Sequence, residues 1–263
     1  MSGTPSPGRL WLIPTPLGET ADPRRCLPPD TVAIAARLHY FIAENARTAR
    51  AFLKHLDLDR PIQQIEIREL SEHTPATELP ALLAPILAGQ DAGLVSEAGC
   101  PAVADPGAAL VALAHQHRVP VHPLIGPSAI LLALMASGMG GQAFAFVGYL
   151  TQQPDARLQA VRALEQRSAR SGETILMIET PYRNQAIFEA LLSGLSGDCR
   201  LMVASSLSLP DQLIRTDLVA AWRSSPVQLA RVPTVFGLIA PAQPATAPKD
   251  RERAQRRAAG RPR

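Results

Sequence analysis

The sequence predicts an α/β protein made of two α/β domains, each a parallel sheet flanked by helices. Apolar runs of β type alternate with helical patterns along most of residues 10–240, the signature of parallel strands joined by helical crossovers. A second series of such alternations starts after the GPS turn at 126–128. The length of 263 residues is enough for two modest domains, each burying its own core.

In order, LWLIP at 10–14 reads as the first strand. A helix follows near 31–38, a strand at 40–43, a helix at 46–56 and another at 78–87, despite Pro80 and Pro85. AGLVS at 92–96 is a short apolar strand that stops at SEAG, followed by a helix at 107–117 and a strand at 119–124. In the second half, residues 129–137 form a helix that is apolar on nearly every face and is therefore expected to be buried. Strands are expected at 144–149, 174–179, 200–205, 213–217 and 235–240, with helices near 155–170 and 184–195. The domains run 9–125 and 126–241. Residues 1–8 and the Pro-, Ala- and Arg-rich stretch 242–263 are expected to be disordered. No short-period repeat marks a solenoid.

Composition narrows the function classes. Hydrophobic residues make up 46% and charged residues 19%, as in globular proteins, while 4% aromatic residues leave few rings for stacking on bases. No apolar run approaches the roughly 20 residues of a membrane span, and MSGTPSPGR lacks a signal-peptide core, so a cytoplasmic protein without a membrane partner is expected. Cys26, Cys100 and Cys199 show no CxxC spacing, and His115 and His117 point to different faces of one helix, so no metal is expected. The tail from Pro241 holds seven basic and two acidic residues; of the chain's 26 basic and 23 acidic residues, 19 and 21 precede it. The body is thus slightly acidic. Nucleic-acid affinity would have to come from a local patch, the tail or a partner subunit.

Five segments carry candidate chemistry. PTPLG at 14–18 follows the first strand, where an open parallel sheet binds ligands; a tight turn leaving the strand is the commoner reading. AGLVSEAGCPAVADPG at 92–107 is a strand, a small-residue loop and a helix start. Gly99 allows close backbone approach, Pro101 and Pro106 fix φ, and Asp105 can cap the helix. A stiff wall of main-chain groups suits a nucleoside or amino-acid moiety, and no GxGxxG, GKS or GKT pattern is present. PLIGPSAI at 123–130 offers a helix start that can hold a carboxylate, with Ser128 as N-cap the other reading. AENARTAR at 43–50 sets Glu44 and Arg47 three apart on one face, for which a surface ion pair is the commoner explanation. MIETPYRN at 177–184 carries Glu179, Tyr182 and Arg183 at a strand end, where helix capping by Thr180 and a solvated Arg183 fit equally.

Taken together, PTPLG, AENARTA, SEH at 71–73, LVSEAGCPAVADPG, PLIGPSA, GYL at 148–150 and IETPYR resemble, in order and spacing, the tetrapyrrole methylase superfamily of S-adenosylmethionine-dependent methyltransferases. The likeness is greatest to the small-subunit rRNA methyltransferase I family and covers about residues 10–240. It implies a homodimer with S-adenosylmethionine in a cleft between the two α/β domains, acting on RNA or a ribosomal subunit at a ribose 2′-hydroxyl. The cofactor contacts it implies are Pro16, the 96–103 loop with Ser96, Glu97, Gly99, Cys100 and Val103, then Ser128 and Ala129, and the strand end at Ile178 and Glu179. Two substrate-side segments depart from the family. Its usual EDTR is Glu44, Asn45, Ala46 and Arg47 here, and its RELTK is SSLSL at 205–209. The family's additional C-terminal region is replaced by the arginine-rich tail.

An S-adenosylmethionine methyl is already activated, so catalysis is mainly alignment, but a ribose hydroxyl needs a base to take its proton. Glu44, His73 and Glu179 are candidate bases, and Arg47, Tyr182 and Arg183 candidate positioning groups. The competing expectations are methylation of a small molecule such as a tetrapyrrole, and a cofactor-binding protein without catalysis.

Overall fold

A computed structural model describes residues 6–18, 21–225 and 227–242. The tail at 243–263 and residues 1–5, both expected to be disordered, lie outside the described residues. Gly8, which the sequence places in the disordered start, is buried and donates its N–H to the Ile86 carbonyl at 2.7 Å.

The described residues form two compact units. One comprises those up to Ala136 with Ala204–Ile214 and Val232–Val235; the other comprises Ser137–Val203, Arg215–Arg231 and those from Phe236 onward. Its boundary at Ala136 differs from the 125/126 division expected from sequence, and the chain's return at 204–214 is invisible to any linear reading.

The first unit is built on strands β1 (Leu10–Ile13), β2 (Tyr40–Ala43), β3 (Glu66–Glu69), β4 (Ala92–Val95) and β5 (Val121–Pro123), ordered β3-β2-β4-β1-β5. All its pairings are parallel, with Leu10 opposite Ala92 and Val121, and Ile42 opposite Leu94. Side chains alternate between faces, and both faces are covered. Leu10, Tyr40 and Ile42 pack with α4 (Leu79–Leu87) and α5 (Gly107–Gln116). Trp11, Ile13, Phe41 and Ala43 pack with α2 (Pro29–Ala36) and α3 (Ala46–Leu53), preceded by the short α1 (Pro23–Cys26). Burial on both faces explains why β1, β2 and β4 are apolar throughout.

Helix α6 (Ala129–Ser137) corrects one expectation. Its termini agree with the sequence, but Leu131 is 53% and Met135 80% exposed, and only Ala133 and Ser137 are buried. Apolarity on every face does not bury every face, because this chain covers only one side of the helix.

The second sheet consists of β6 (Phe144–Phe146), β7 (Thr174–Glu179), β8 (Arg200–Ser205), β9 (Leu213–Leu218) and β10 (Thr234–Ile239), ordered β6-β7-β10-β8-β9. Its core joins Ile175, Met177, Val203 and Phe236 to Val161 of α7 (Pro154–Ser171), Phe188 and Leu191 of α8 (Asn184–Gly194) and Trp222 of α9 (Val219–Ser224). Trp222 meets Phe188 edge-on at 5.2 Å and donates its indole N–H to the Leu201 carbonyl at 2.9 Å, so its polar atom is satisfied in the core. Among the described residues no helix is long and apolar enough to cross a membrane.

Candidate functional site

Because the first sheet is wholly parallel, the loops leaving β1, β2, β4 and β5 emerge at one edge, where open α/β sheets bind ligands. PTPLG and SEAGC are tied there by an isolated antiparallel bridge between Thr15 and Gly99. The Thr15 N–H donates to the Gly99 carbonyl at 2.9 Å, and the Gly99 N–H to the Thr15 carbonyl at 3.1 Å. The Thr15 hydroxyl adds a bond to the Ser96 carbonyl at 3.3 Å, and the Ser96 hydroxyl donates to the Gly99 carbonyl at 3.3 Å. Gly99 sits at φ +77° beside the Leu17 side chain, a conformation that glycine adopts freely. Pro16 is buried within the same turn.

The rest of the β4 loop is strained and clamped. Ala102 and Ala104 have φ of 64° and 57°, costing roughly 1–2 kcal/mol each for a residue with a Cβ. Asp105 Oδ1 accepts the N–H of Ala102 at 2.8 Å and of Gly107 at 2.7 Å. One carboxylate therefore holds the strained turn and caps α5. Burial pushes the Asp105 carboxyl up, opposed by those two N–H groups. Burial also pushes the Cys100 thiol up, and it donates to the Pro127 carbonyl at 3.4 Å, joining this loop to PLIGPS. Glu97 and Val103 are exposed.

The PLIGPS loop is pressed on β1. A Cβ on Gly126 would lie 2.3 Å from the Pro14 Cβ, so no side chain fits. The Thr31 hydroxyl holds the Ile125 carbonyl at 2.9 Å. Ser128 caps α6, its hydroxyl accepting the Leu131 N–H at 3.4 Å, and Ala129 opens the helix half-buried.

At the end of β2, Glu44 is half-buried. Desolvation pushes its carboxyl up, helped by the charges of Glu97, Asp105 and Glu72 and opposed by a hydrogen bond from the Glu97 N–H. Asn45 is the N-cap of α3, its Oδ1 accepting from the Arg47 N–H at 2.8 Å and the Thr48 N–H at 3.4 Å. Asparagine caps as well as aspartate, so this departure from the family's EDTR preserves the helix start. The ion pair that the Glu44–Arg47 spacing allows does not form among the described residues. Asn45 is extended, at φ −143°, so Glu44 precedes the helix and the same-face rule does not reach it. His73 stands on an exposed turn, 3.6 Å from the Glu72 carboxylate.

Within the second unit, Glu179 and Arg183 form an ion pair, with Arg183 Nη2 3.0 Å from Glu179 Oε2. That oxygen makes no hydrogen bond, so the attraction is Coulombic. Glu179 Oε1 accepts the Thr180 N–H at 2.7 Å and hydroxyl at 3.2 Å, and Arg183 also donates to the Leu150 carbonyl at 3.0 Å. The pair thus fastens IETPYR to GYL, and the Ile178 N–H adds a bond to the Gly148 carbonyl at 3.1 Å. Tyr182 is 83% exposed. Of the sequence-derived candidates, Pro16, Glu44, Arg47, His73, Ser96, Glu97, Gly99, Cys100, Val103, Ser128 and Ala129 belong to the first unit, and Ile178, Glu179, Tyr182 and Arg183 to the second. Nothing local in the sequence marks Thr15, because its role rests on a pairing across the sheet.

The strand-end loops of the first unit fit S-adenosylmethionine. Three loops offer backbone with almost no protruding side chain, as a nucleoside and amino-acid moiety requires, and the carboxylates of Glu97 and Asp105 complement a cationic sulfonium.

Comparison with known proteins agrees. A family model described as Tetrapyrrole (Corrin/Porphyrin) Methylases matches residues 10–221. A protein named Ribosomal RNA small subunit methyltransferase I from Synechocystis is 32% identical over 201 residues, 76% of this chain and 67% of its own. Its namesake from Mesorhizobium japonicum is 33% identical over 213 residues, 81% and 68% of the two chains. Among solved structures, uroporphyrin-III C-methyltransferase from Thermus thermophilus, complexed with S-adenosyl homocysteine, superposes with a TM-score of 0.57 at 18% identity, covering 88% of this chain and 97% of that one. The family match over most of the folded length and the two relatives above 30% identity place the chain in the tetrapyrrole (corrin/porphyrin) methylases, a family of S-adenosylmethionine-dependent methyltransferases.

Proposed function

We propose that this chain methylates a ribose 2′-hydroxyl of small-subunit ribosomal RNA. The observation that carries this reading is the 32–33% identity, over three quarters or more of the chain, to relatives named for that RNA. When bound, S-adenosylmethionine supplies a methyl group activated by a positively charged sulfur. In this reading Pro16, the 96–103 loop, Ser128, Ala129, Ile178 and Glu179 hold it. The chain must then align the acceptor and remove its proton.

Glu44 is the base in this reading. Its carboxyl is half-buried at the sheet edge and pushed up by burial, the direction that makes a carboxylate a better proton acceptor. Glu179 is committed to Thr180 and Arg183, and His73 stands out in solvent. Arg47 and Tyr182 serve as positioning groups, and Arg183 positions Glu179. The exposed apolar residues Ile125, Leu131 and Met135 support a homodimer in which a second copy covers α6, in the cytoplasm where ribosomal subunits assemble.

The test incubates the full chain with methyl-labelled cofactor and small ribosomal subunits, followed by nuclease digestion and mass spectrometry. The expected product is a 2′-O-methyl nucleoside; absence of label from the RNA of subunits and from total RNA refutes the reading. Sedimentation showing only monomer at micromolar concentration refutes the dimer.

A further inference from the structure

Helix α3 turns Ala49, Phe52 and Leu53 into the core and leaves Arg47, Arg50 and the C-cap Lys54 exposed. Lys54 keeps helical backbone angles, so the three cations stand three and four residues apart on one face, along about 10 Å of axis. Among the described residues none of the three has an ion-pair partner, whereas the four acids at 57–69 are engaged. Asp57 lies 3.7 Å from Arg24, and Asp59 3.1 Å from His39 and 3.5 Å from Arg60. Glu69 accepts the Ala46 N–H at 2.9 Å and Glu66 holds Arg68 at 2.7 Å. A row of unneutralised cations is therefore maintained on a body that carries 19 basic against 21 acidic residues.

The row has a direction. It begins at Arg47, three residues after Glu44 at the sheet edge, and runs away from that edge along the helix. From this geometry we infer that the exposed face of α3 is an RNA-docking surface. Arg47, Arg50 and Lys54 would contact phosphates along the strand whose ribose is presented at the edge. The inference rests on the reading that the acceptor is RNA. Linear cation spacing matches a backbone with regularly repeated charge, and guanidinium groups suit phosphate oxygens.

The test compares the full chain with R50A/K54A, both retaining the basic tail, in binding to a transcript of small-subunit rRNA between 50 and 300 mM salt. Each phosphate contact contributes about 0.7 (single strand) to 0.9 (duplex) to the slope of log affinity against log salt. The variant's slope should therefore be shallower by about 1.4–1.8, with unchanged thermal midpoint and cofactor affinity. If R50A/K54A unfolds early, R50Q/K54Q, which keeps the long stems packed, is measured instead with the same expectation. A wild type that binds the transcript and a variant with identical affinity and slope overturn the inference while leaving the function standing. A wild type that binds no RNA at any salt overturns both. Equal competition by polyglutamate at matched charge overturns RNA as the occupant in favour of an acidic protein.

Discussion

Gly126→Ala tests whether the PLIGPS loop is held against β1 by close packing. The added Cβ would lie 2.3 Å from Pro14 Cβ, 2.7 Å from Pro14 Cγ and 3.0 Å from Leu27 Cδ2. The leucine methyl can rotate away, but the proline atoms belong to a ring fused to the backbone, so the loop itself must move by about 1 Å to restore van der Waals contact. Overpacking of this kind costs about 1–3 kcal/mol, or a melting-point drop of roughly 2–4 °C per kcal/mol at this size. Gly197→Ala is the matched control, since its Cβ would meet nothing nearer than Ala220 Cβ at 3.5 Å and its φ is ordinary; it should be neutral or stabilise by up to about 1 kcal/mol. Thermal and urea unfolding followed by circular dichroism measure both, with calorimetric titration of S-adenosylmethionine. The reasoning is refuted if Gly126→Ala unfolds no earlier than Gly197→Ala, or if it unfolds earlier yet binds the cofactor with unaltered affinity.

Asn45→Ala removes the α3 cap and should cost about 1 kcal/mol in urea unfolding, whereas Asn45→Asp should be near neutral. Arg183→Met strands the buried Glu179 carboxylate and should cost about 3–5 kcal/mol; Glu179→Gln with Arg183→Met should recover most of it, as a double-mutant cycle would show. Glu44→Gln should abolish methyl transfer while preserving cofactor binding, and the wild-type rate should fall as pH drops through a Glu44 value above the ordinary 4.5. Linkage has a definite sign there. The folded state holds that proton more tightly, so stability decreases as pH rises from 4.5 through the folded value. Glu44→Gln should therefore melt higher than wild type at neutral pH, and equal melting curves would show that Glu44 is not desolvated.

The strands that coincide with their sequence-derived limits, at 40–43, 174–179 and 200–205, are short and buried almost throughout. In such runs apolarity and flanking turns mark the element directly. Edge strand β3 is not legible in the sequence because its residues, Glu-Ile-Arg-Glu, are mostly charged and exposed, a composition that protects a sheet edge and erases the apolar signal. The Glu44–Arg47 ion pair failed because a cap at Asn45 separates the two residues' backbone geometries. The exposure of α6 is not legible in its composition, because apolarity shows what a face prefers to touch and not whether this chain supplies the partner.

The sequence alone determined the order of strands and helices and the chemistry of the SEAGCPAVADPG loop, because these depend on residue types within a few positions of one another. Only the tertiary structure decided that β4 lies between β2 and β1, and hence that Gly99 bridges Thr15 and that the Glu97 N–H meets the Glu44 carboxylate. Strand order is a property of side chains packing across the sheet, and no local preference along the chain encodes which strand ends become neighbours.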